Sequence, residues 1–141
     1  MKNNICISIS EKPGNFGKII HNAGYEELGL DWVYIPFKIT NLENTIKGIR
    51  ALNIRGCSVS MPFKEKVIPF LDEIDSLAKK IGSVNTIVND DGILKGYNTD
   101  FVGFQKSFKK LHVLKHEKIL ILGSGGGAKS ILVGLKNLKF K

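Results

Sequence analysis

Four short segments of the chain carry residue types and spacings that could do chemistry. Leu122-Gly123-Ser124-Gly125-Gly126-Gly127-Ala128 contains G-x-G-x-x-A between an apolar run and an amphipathic stretch. Such glycines permit a tight turn and let the backbone approach a pyrophosphate, while the following helix N-terminus offers free N–H donors and a partial positive charge. The plainer alternative is a glycine turn that only joins a strand to a helix. Ser58-Val59-Ser60-Met61-Pro62-Phe63-Lys64 sets a lysine just after a strand end, in a turn stiffened by proline. Open α/β sheets bind ligands at the carboxyl ends of their strands, so a reactive lysine could sit here. On spacing alone, however, Lys64 reads first as one solvated cation among 21 basic residues. Gly82-Ser83-Val84-Asn85-Thr86 and Gly96-Tyr97-Asn98-Thr99-Asp100 each place Asn-Thr at an element boundary, and the second adds a carboxylate. Asn98 or Thr99 could simply cap a helix, with Asp100 favoured in its first turn by the macrodipole. The combination raises the chemical reading: a lysine beside a carboxylate can pass a proton to an alkoxide while hydrogen-bonding a substrate hydroxyl.

These segments need elements to hold them, and the hydrophobic pattern supplies alternating strands and helices. Ile5, Ile7 and Ile9 alternate with polar residues as in a strand, and Phe16, Ile19, Ile20, Ala23 and Leu28 follow at helical spacing up to Gly29. Asp31–Phe37 reads as a second strand. Thr40 and Glu43 match a capping box ahead of Leu42, Ile46, Ile49 and Leu52 on one helical face. Arg55–Val59 reads as a third strand, followed by short helical pieces over Phe63–Phe70 and Ile74–Ile81. Ser83–Asn89 is strand-like, and Asp90-Asp91-Gly92 before Ile93-Leu94 signals a hairpin. Phe101, Phe104, Phe108 and Leu111 share a helical face. After a break at His112–His116, Ile119–Leu122 is predicted as a strand buried on both faces, and Ile131, Leu132, Leu135 and Leu138 as a last amphipathic helix. The expected fold is α/β: a mostly parallel open sheet with a small antiparallel extension over residues 1–110, then an incomplete strand-turn-helix over 117–141 that looks like the opening of a dinucleotide-binding domain.

Composition narrows the class. With 43% hydrophobic and 24% charged residues, the chain belongs with globular proteins and not with disordered ones. No apolar run approaches the roughly 20 residues a membrane span needs, so no membrane partner is expected. Cys6 and Cys57 have no companion ligand pattern, which argues against a metal site and for a reduced, cytoplasmic setting. The net charge of +8 invites a nucleic-acid reading, but residues 1–100 balance twelve basic against twelve acidic groups. All the excess lies in residues 101–141, nine lysines against Glu117. No arginine stripe or interleaved aromatic pattern accompanies them, so no nucleic-acid partner is expected.

Taken in order, the motifs around Lys64, Asn85, Asp100 and Gly123–Ala128, with His21-Asn22 in the first helix, resemble the shikimate dehydrogenase family. The resemblance runs along essentially the whole chain. It implies a substrate domain followed by a Rossmann-type NADP domain, and reversible reduction of 3-dehydroshikimate to shikimate on the route to chorismate and the aromatic amino acids. Carried over by position, Lys64 would be the catalytic acid/base and Asp100 its partner at the same hydroxyl. Ser60, Asn85 and Thr86 would line the substrate pocket, Asn85 as a direct hydroxyl ligand. Gly123, Ser124, Gly125, Gly126, Gly127 and Ala128 would hold the cofactor pyrophosphate.

Two departures are visible. The family's Ser-x-Ser-Pro pattern, whose hydroxyls bind the substrate carboxylate, is replaced by Asn15 and Gly17 when counted back from His21. Its Asn and Thr in the lysine motif are Ser58 and Ser60 here, and Ser58 is too short to reproduce an amide. The resemblance therefore implies a shikimate dehydrogenase-like branch, acting on a polyhydroxylated cyclohexene carboxylate that could differ at its carboxylate end. The rest of the cofactor sheet, the phosphate-reading basic motif and a late glutamine lie past Lys141 in the family. The expectation is accordingly a truncated oxidoreductase with little activity alone, its cofactor domain completed, if at all, by a separate chain. The competing expectation is a non-catalytic fragment that binds a shikimate-like acid.

Overall fold

The computed structural model describes residues 4–114 and 116–140. β1 (Asn4–Ser10) is the strand against which the first half of the sheet assembles. β2 (Trp32–Lys38) and β3 (Gly56–Val59) both pair with it in parallel, Ile7 facing Ile35 on one side and Cys57 on the other. β5 (Thr86–Asp90) runs antiparallel to β3. β6 (Ile93–Tyr97) returns antiparallel to β5, and the two-residue β4 (Glu73–Ile74) closes the far edge. The six-stranded order is β2-β1-β3-β5-β6-β4, with three parallel pairs and two antiparallel ones. The expected α/β sheet with an antiparallel extension is thus present. Asp91 and Gly92 both have positive φ, at 49° and 90°, which is the type I′ geometry that a two-residue hairpin needs.

Strand alternation divides the residues between the two faces. Ile7, Ile9, Cys57, Val59, Ile87 and Leu94 join Ile46 and Ile49 of α2 (Leu42–Ala51) in one buried core. Cys6, paired with Gly56, points to the opposite face from Cys57, which sits beside Ile7, so the two thiols do not face each other. Burial pushes the Cys57 thiol well above the usual range. α2 starts one residue later than the expected capping box. Asn41, in extended conformation, accepts the Asn44 N–H at 2.9 Å, while Glu43 turns to Lys47 at 2.7 Å. Leu52 of the expected apolar face is 71% exposed. The piece expected over Ile74–Ile81 splits: Ile74 pairs in β4, and Asp75 caps α4 (Ser76–Ile81) through the Leu77 and Ala78 N–H groups.

α1 (Phe16–Glu27) lies on the other face and buries none of its residues. It holds the sheet edge through a polar clip: Asn22 Nδ2 donates to the Tyr34 carbonyl at 3.0 Å, and the Tyr34 N–H donates to Asn22 Oδ1 at 2.8 Å. His21 stacks on the Tyr34 ring at 4.4 Å, and Gly17 leaves room for that ring. Two residues along the same outward side, Pro36 has no N–H to offer. The free edge of β2 is therefore occupied at one position and blocked at the next, which discourages strand addition.

The expected strand over Ile119–Leu122 does not form. Among the described residues it pairs with no strand, and Leu120 and Leu122 are 81% and 88% exposed. An apolar run of this kind needs ladder partners on both sides, and none is at hand. The helix that follows, α6 (Gly126–Asn137), docks instead on α5 (Asp100–Lys109). Gly134 packs under the Phe104 ring, and Phe108 meets Phe140 edge-on at 5.3 Å.

If the Asn22 clip secures β2, replacing Asn22 by Ala should lower unfolding stability by about 1–3 kcal/mol, because two backbone groups lose their partner. Chemical denaturation would measure this, and an unchanged midpoint would assign the edge no dependence on Asn22.

Candidate functional site

Strand direction explains why the chemically interesting segments meet. β1 and β3 are parallel, so the residues after both come out at one end of the sheet. β5 is reversed, so its first residues lie at that end, and β6 is reversed again, so its last residues do too. Ser60 and Lys64 follow β3, Asn85 and Thr86 open β5, and Asn98–Asp100 close β6. The ends are tied by backbone bonds: Val59 N to Asn85 O at 2.8 Å, Asn85 N to Tyr97 O at 3.0 Å, and Val84 N to Lys64 O at 2.8 Å. Lys64 itself stands in a short helical turn, α3 (Phe63–Lys66).

Lys64 Nζ donates to Asp100 Oδ2 at 2.6 Å, with the two side chains 20% and 32% exposed. Asn85 Nδ2 donates to Asp100 Oδ1 and to Thr99 Oγ1, both at 2.8 Å. Asn85 Oδ1 accepts from the Thr99 N–H at 2.9 Å and from the Thr86 hydroxyl at 3.0 Å. A primary amide has two donors and two acceptor sites, so Asn85 is saturated within the protein. Lys64 keeps two ammonium protons without a partner among the described residues, and each Asp100 oxygen keeps a lone pair. A ligand hydroxyl could therefore accept from Lys64 and donate to Asp100 at once. Asn85, by contrast, would have to release Thr99 or Asp100 to touch a ligand directly.

The glycine loop stands beside this pair. Ser60, Met61, Pro62 and Lys64 share a cleft of about 480 Å³ with Leu122, Gly123 and Gly125–Ala128. Gly123 has φ of 121°, a conformation that side-chain-bearing residues rarely adopt. A Cβ at Gly125 or Gly127 would meet open space, whereas one at Gly126 would fall 2.3 Å from Ser83 Oγ and 3.1 Å from Lys64 Cβ. Two glycines thus leave the mouth of the turn open, and the third allows α6 to seat against the lysine segment. Gly125 precedes α6 without a side-chain cap, so the first-turn N–H groups face outward in the manner of an anion site. Glu65 and Lys129 pair across the same junction.

Thr86 and Ser58 also border a second recess of about 330 Å³ on the α1 face, lined in part by Cys6, His21, Tyr25 and Trp32. Burial, helped by a hydrogen bond from the phenol to Cys6, pushes the Tyr25 phenol well above its usual range. Asn15 is exposed at the start of α1 and borders a separate shallow recess with Lys18, Ile19 and Asn22. It is not among the residues lining the Lys64 cleft.

The sequence profile of the shikimate dehydrogenase substrate binding domain matches residues 16–87. A shikimate dehydrogenase-like protein from Haemophilus influenzae is 50% identical over 97% of this chain and 51% of its own length. The chain belongs to the shikimate dehydrogenase family. A shikimate dehydrogenase (NADP(+)) from Halothermothrix orenii is 49% identical over 79% of the chain and 40% of its own length. The solved structure of a shikimate 5-dehydrogenase from Listeria monocytogenes, in complex with shikimate and NAD, superposes with a TM-score of 0.79 at 35% identity. It covers 92% of this chain, which covers 46% of it. The chain thus spans about half the length of the relatives that it matches.

Several residues that shape the site are not singled out by motif reading. Gly126 as a packing residue, the Glu65–Lys129 pair and the buried Ser130 on α6 depend on contacts between segments far apart in sequence. Ser83 Oγ is buried with no hydrogen-bond partner among the described residues. Replacing Gly126 by Ala should destabilise the chain by about 1–3 kcal/mol through overpacking. Ser83→Ala alone should be neutral or stabilising, since it removes an unsatisfied hydroxyl. Thermal unfolding of the two variants tests both, and a neutral Gly126→Ala would contradict the close seating of α6.

Proposed function

We propose that this chain is the substrate-binding part of a shikimate dehydrogenase-like oxidoreductase, taking a polyhydroxylated cyclohexene carboxylate at Lys64 and Asp100. The observation that carries the reading is the 2.6 Å contact between these two groups, with hydrogen-bonding capacity left on both. In this reading residues 1–110 are the substrate domain and 117–141 open a Rossmann-type cofactor domain. The Lys64 ammonium delivers its proton to the oxygen of the carbon being reduced and recovers it in the reverse direction. Asp100 accepts a hydrogen bond from that oxygen in its hydroxyl form and holds the Lys64 ammonium in place. Asn85 holds Asp100 from the other side, which makes it a support of the pair before it is a ligand. Ser60 contributes its hydroxyl at the mouth of the cleft and Thr86 supports Asn85.

The residues present fit a dinucleotide pyrophosphate, since Gly125 and Gly127 leave room for close approach and α6 presents its N-terminus at the cleft. Gly123, Ser124, Gly125, Gly126, Gly127 and Ala128 would hold it, and the reduced cofactor, NADPH, would supply the hydride. Asn15 and Ser58 stand where the family carries other side chains, which favours a ligand altered at its carboxylate end. Asn15, exposed at the start of α1, is assigned to that end. No helix among the described residues is long and apolar enough to cross a membrane.

A second reading is a binding module without turnover, and the unpaired Ile119–Leu122 segment favours it for the chain by itself. A separate polypeptide that supplied neighbouring strands would convert one into the other. Calorimetry with millimolar shikimate should show binding to the purified 141-residue chain. Lys64→Ala should weaken it about tenfold, the worth of a charged hydrogen bond. NADPH-dependent reduction of 3-dehydroshikimate by the chain alone should be negligible. Absence of any binding heat would remove the substrate assignment, and robust turnover would overturn the need for further strands.

A further inference from the structure

Asn98 lies between β6 and Asp100 and is only 5% exposed. A polar side chain so placed must have its groups satisfied, and its partners say what it fixes. Its Nδ2 donates to the Ser83 carbonyl at 2.9 Å and to Ser130 Oγ at 3.0 Å, and its Oδ1 accepts from the Phe101 N–H at 3.1 Å. Ser130 is fully buried on α6 and donates to the Gly126 carbonyl at 2.9 Å. One amide therefore ties together the segment that leads into Asn85, the first turn of the helix that begins with Asp100, and the helix that carries the glycine loop.

We propose that Asn98 is a positioning residue that sets the Asp100 carboxylate against Lys64 and Asn85, with Ser130 on the glycine-loop helix as its anchor. This rests on the reading of Lys64 and Asp100 as the ligand-binding pair. Asn98 precedes Asp100 by two residues, and Ser83 precedes Asn85 by two, so the hydrogen bonds of Asn98 hold the two partners in register at their roots. Thr99, between Asn98 and Asp100, already bonds Asn85 through both its N–H and its hydroxyl. Rotation of α6 would pull on Ser130 and hence on the Asp100 turn. The helix that presents the phosphate-binding turn thereby acts on the substrate end without touching the substrate. By linkage, a phosphate ligand that biases α6 and a hydroxylated ligand that biases Asp100 must influence each other equally.

The experiment uses the full chain and three variants: Ser130→Ala, which deletes one buried hydroxyl, the more drastic Asn98→Ala, and Ile46→Val as a core control under α2. The readouts are the Asn85 side-chain amide resonance in ¹H–¹⁵N spectra, shikimate affinity by calorimetry, and thermal midpoint. Ser130→Ala should displace the Asn85 amide resonance and weaken shikimate about fivefold, the worth of one hydrogen bond. Ile46→Val should lower the midpoint and move neither. The proposal is overturned if Ser130→Ala lowers the midpoint like the control and leaves the Asn85 resonance in place. Should Asn98→Ala fail to fold, Ser130→Ala still decides. Should the parent chain not bind shikimate, the functional reading fails by itself and the Asn85 resonance still judges the role of Asn98.

Discussion

Lys64 and Asp100 are 36 positions apart, and their ion pair exists because the sheet reverses direction twice between them. Had β5 continued parallel to β3, Asn85 would have emerged at the opposite end and Asp100 would have had no neighbour. The antiparallel hairpin is thus the condition for the site, and the ladder bonds at its open end hold the pair in reach. Partial burial gives the contact weight. The Glu65–Lys129 and Glu43–Lys47 pairs are more exposed, and pairs of that kind contribute little in water.

The charge distribution takes on a structural meaning in this setting. Residues 1–100 balance their charges, and among them Arg50 ties Asp72 and the hairpin carbonyl of Gly92 together, holding the Asp72 carboxyl below its usual range. The surplus lysines fall in the segment that begins with α5 and includes the glycine loop. A positive surround of that kind suits an anionic dinucleotide better than a neutral sugar, and it does so without an arginine stripe. The unpaired Ile119–Leu122 run belongs to the same segment.

Much of the site was legible in the sequence because its parts are local: a lysine after a strand, Asn-Thr pairs at boundaries, glycines before a helix. Their convergence rests on strand directions, which the β3–β5 and β5–β6 pairings set. Less legible were features that depend on one residue's neighbours in space. The capping box at Thr40 and Glu43 was displaced because Asn41, one position on, took up the extended conformation that a cap requires. The apolar run at Ile119–Leu122 has strand composition, but a strand exists only through its ladder partners. The resemblance implies Asn85 as a ligand, and the structure adds that its four hydrogen-bonding positions are taken by Thr86, Thr99 and Asp100, which no spacing rule reports. Asn15 stands at the start of α1, outside the cleft that Lys64 lines.

Under the proposed function a hydroxylated ring acid is held at the Lys64–Asp100 end of the sheet, and a ¹H–¹⁵N titration of the chain with shikimate locates its contacts. Saturable shifts are expected at Ser60, Lys64, Asn85, Thr86 and the Thr99–Asp100 turn. Shifts gathered instead at Cys6, Tyr25 and Trp32 in the recess on the α1 face would contradict it.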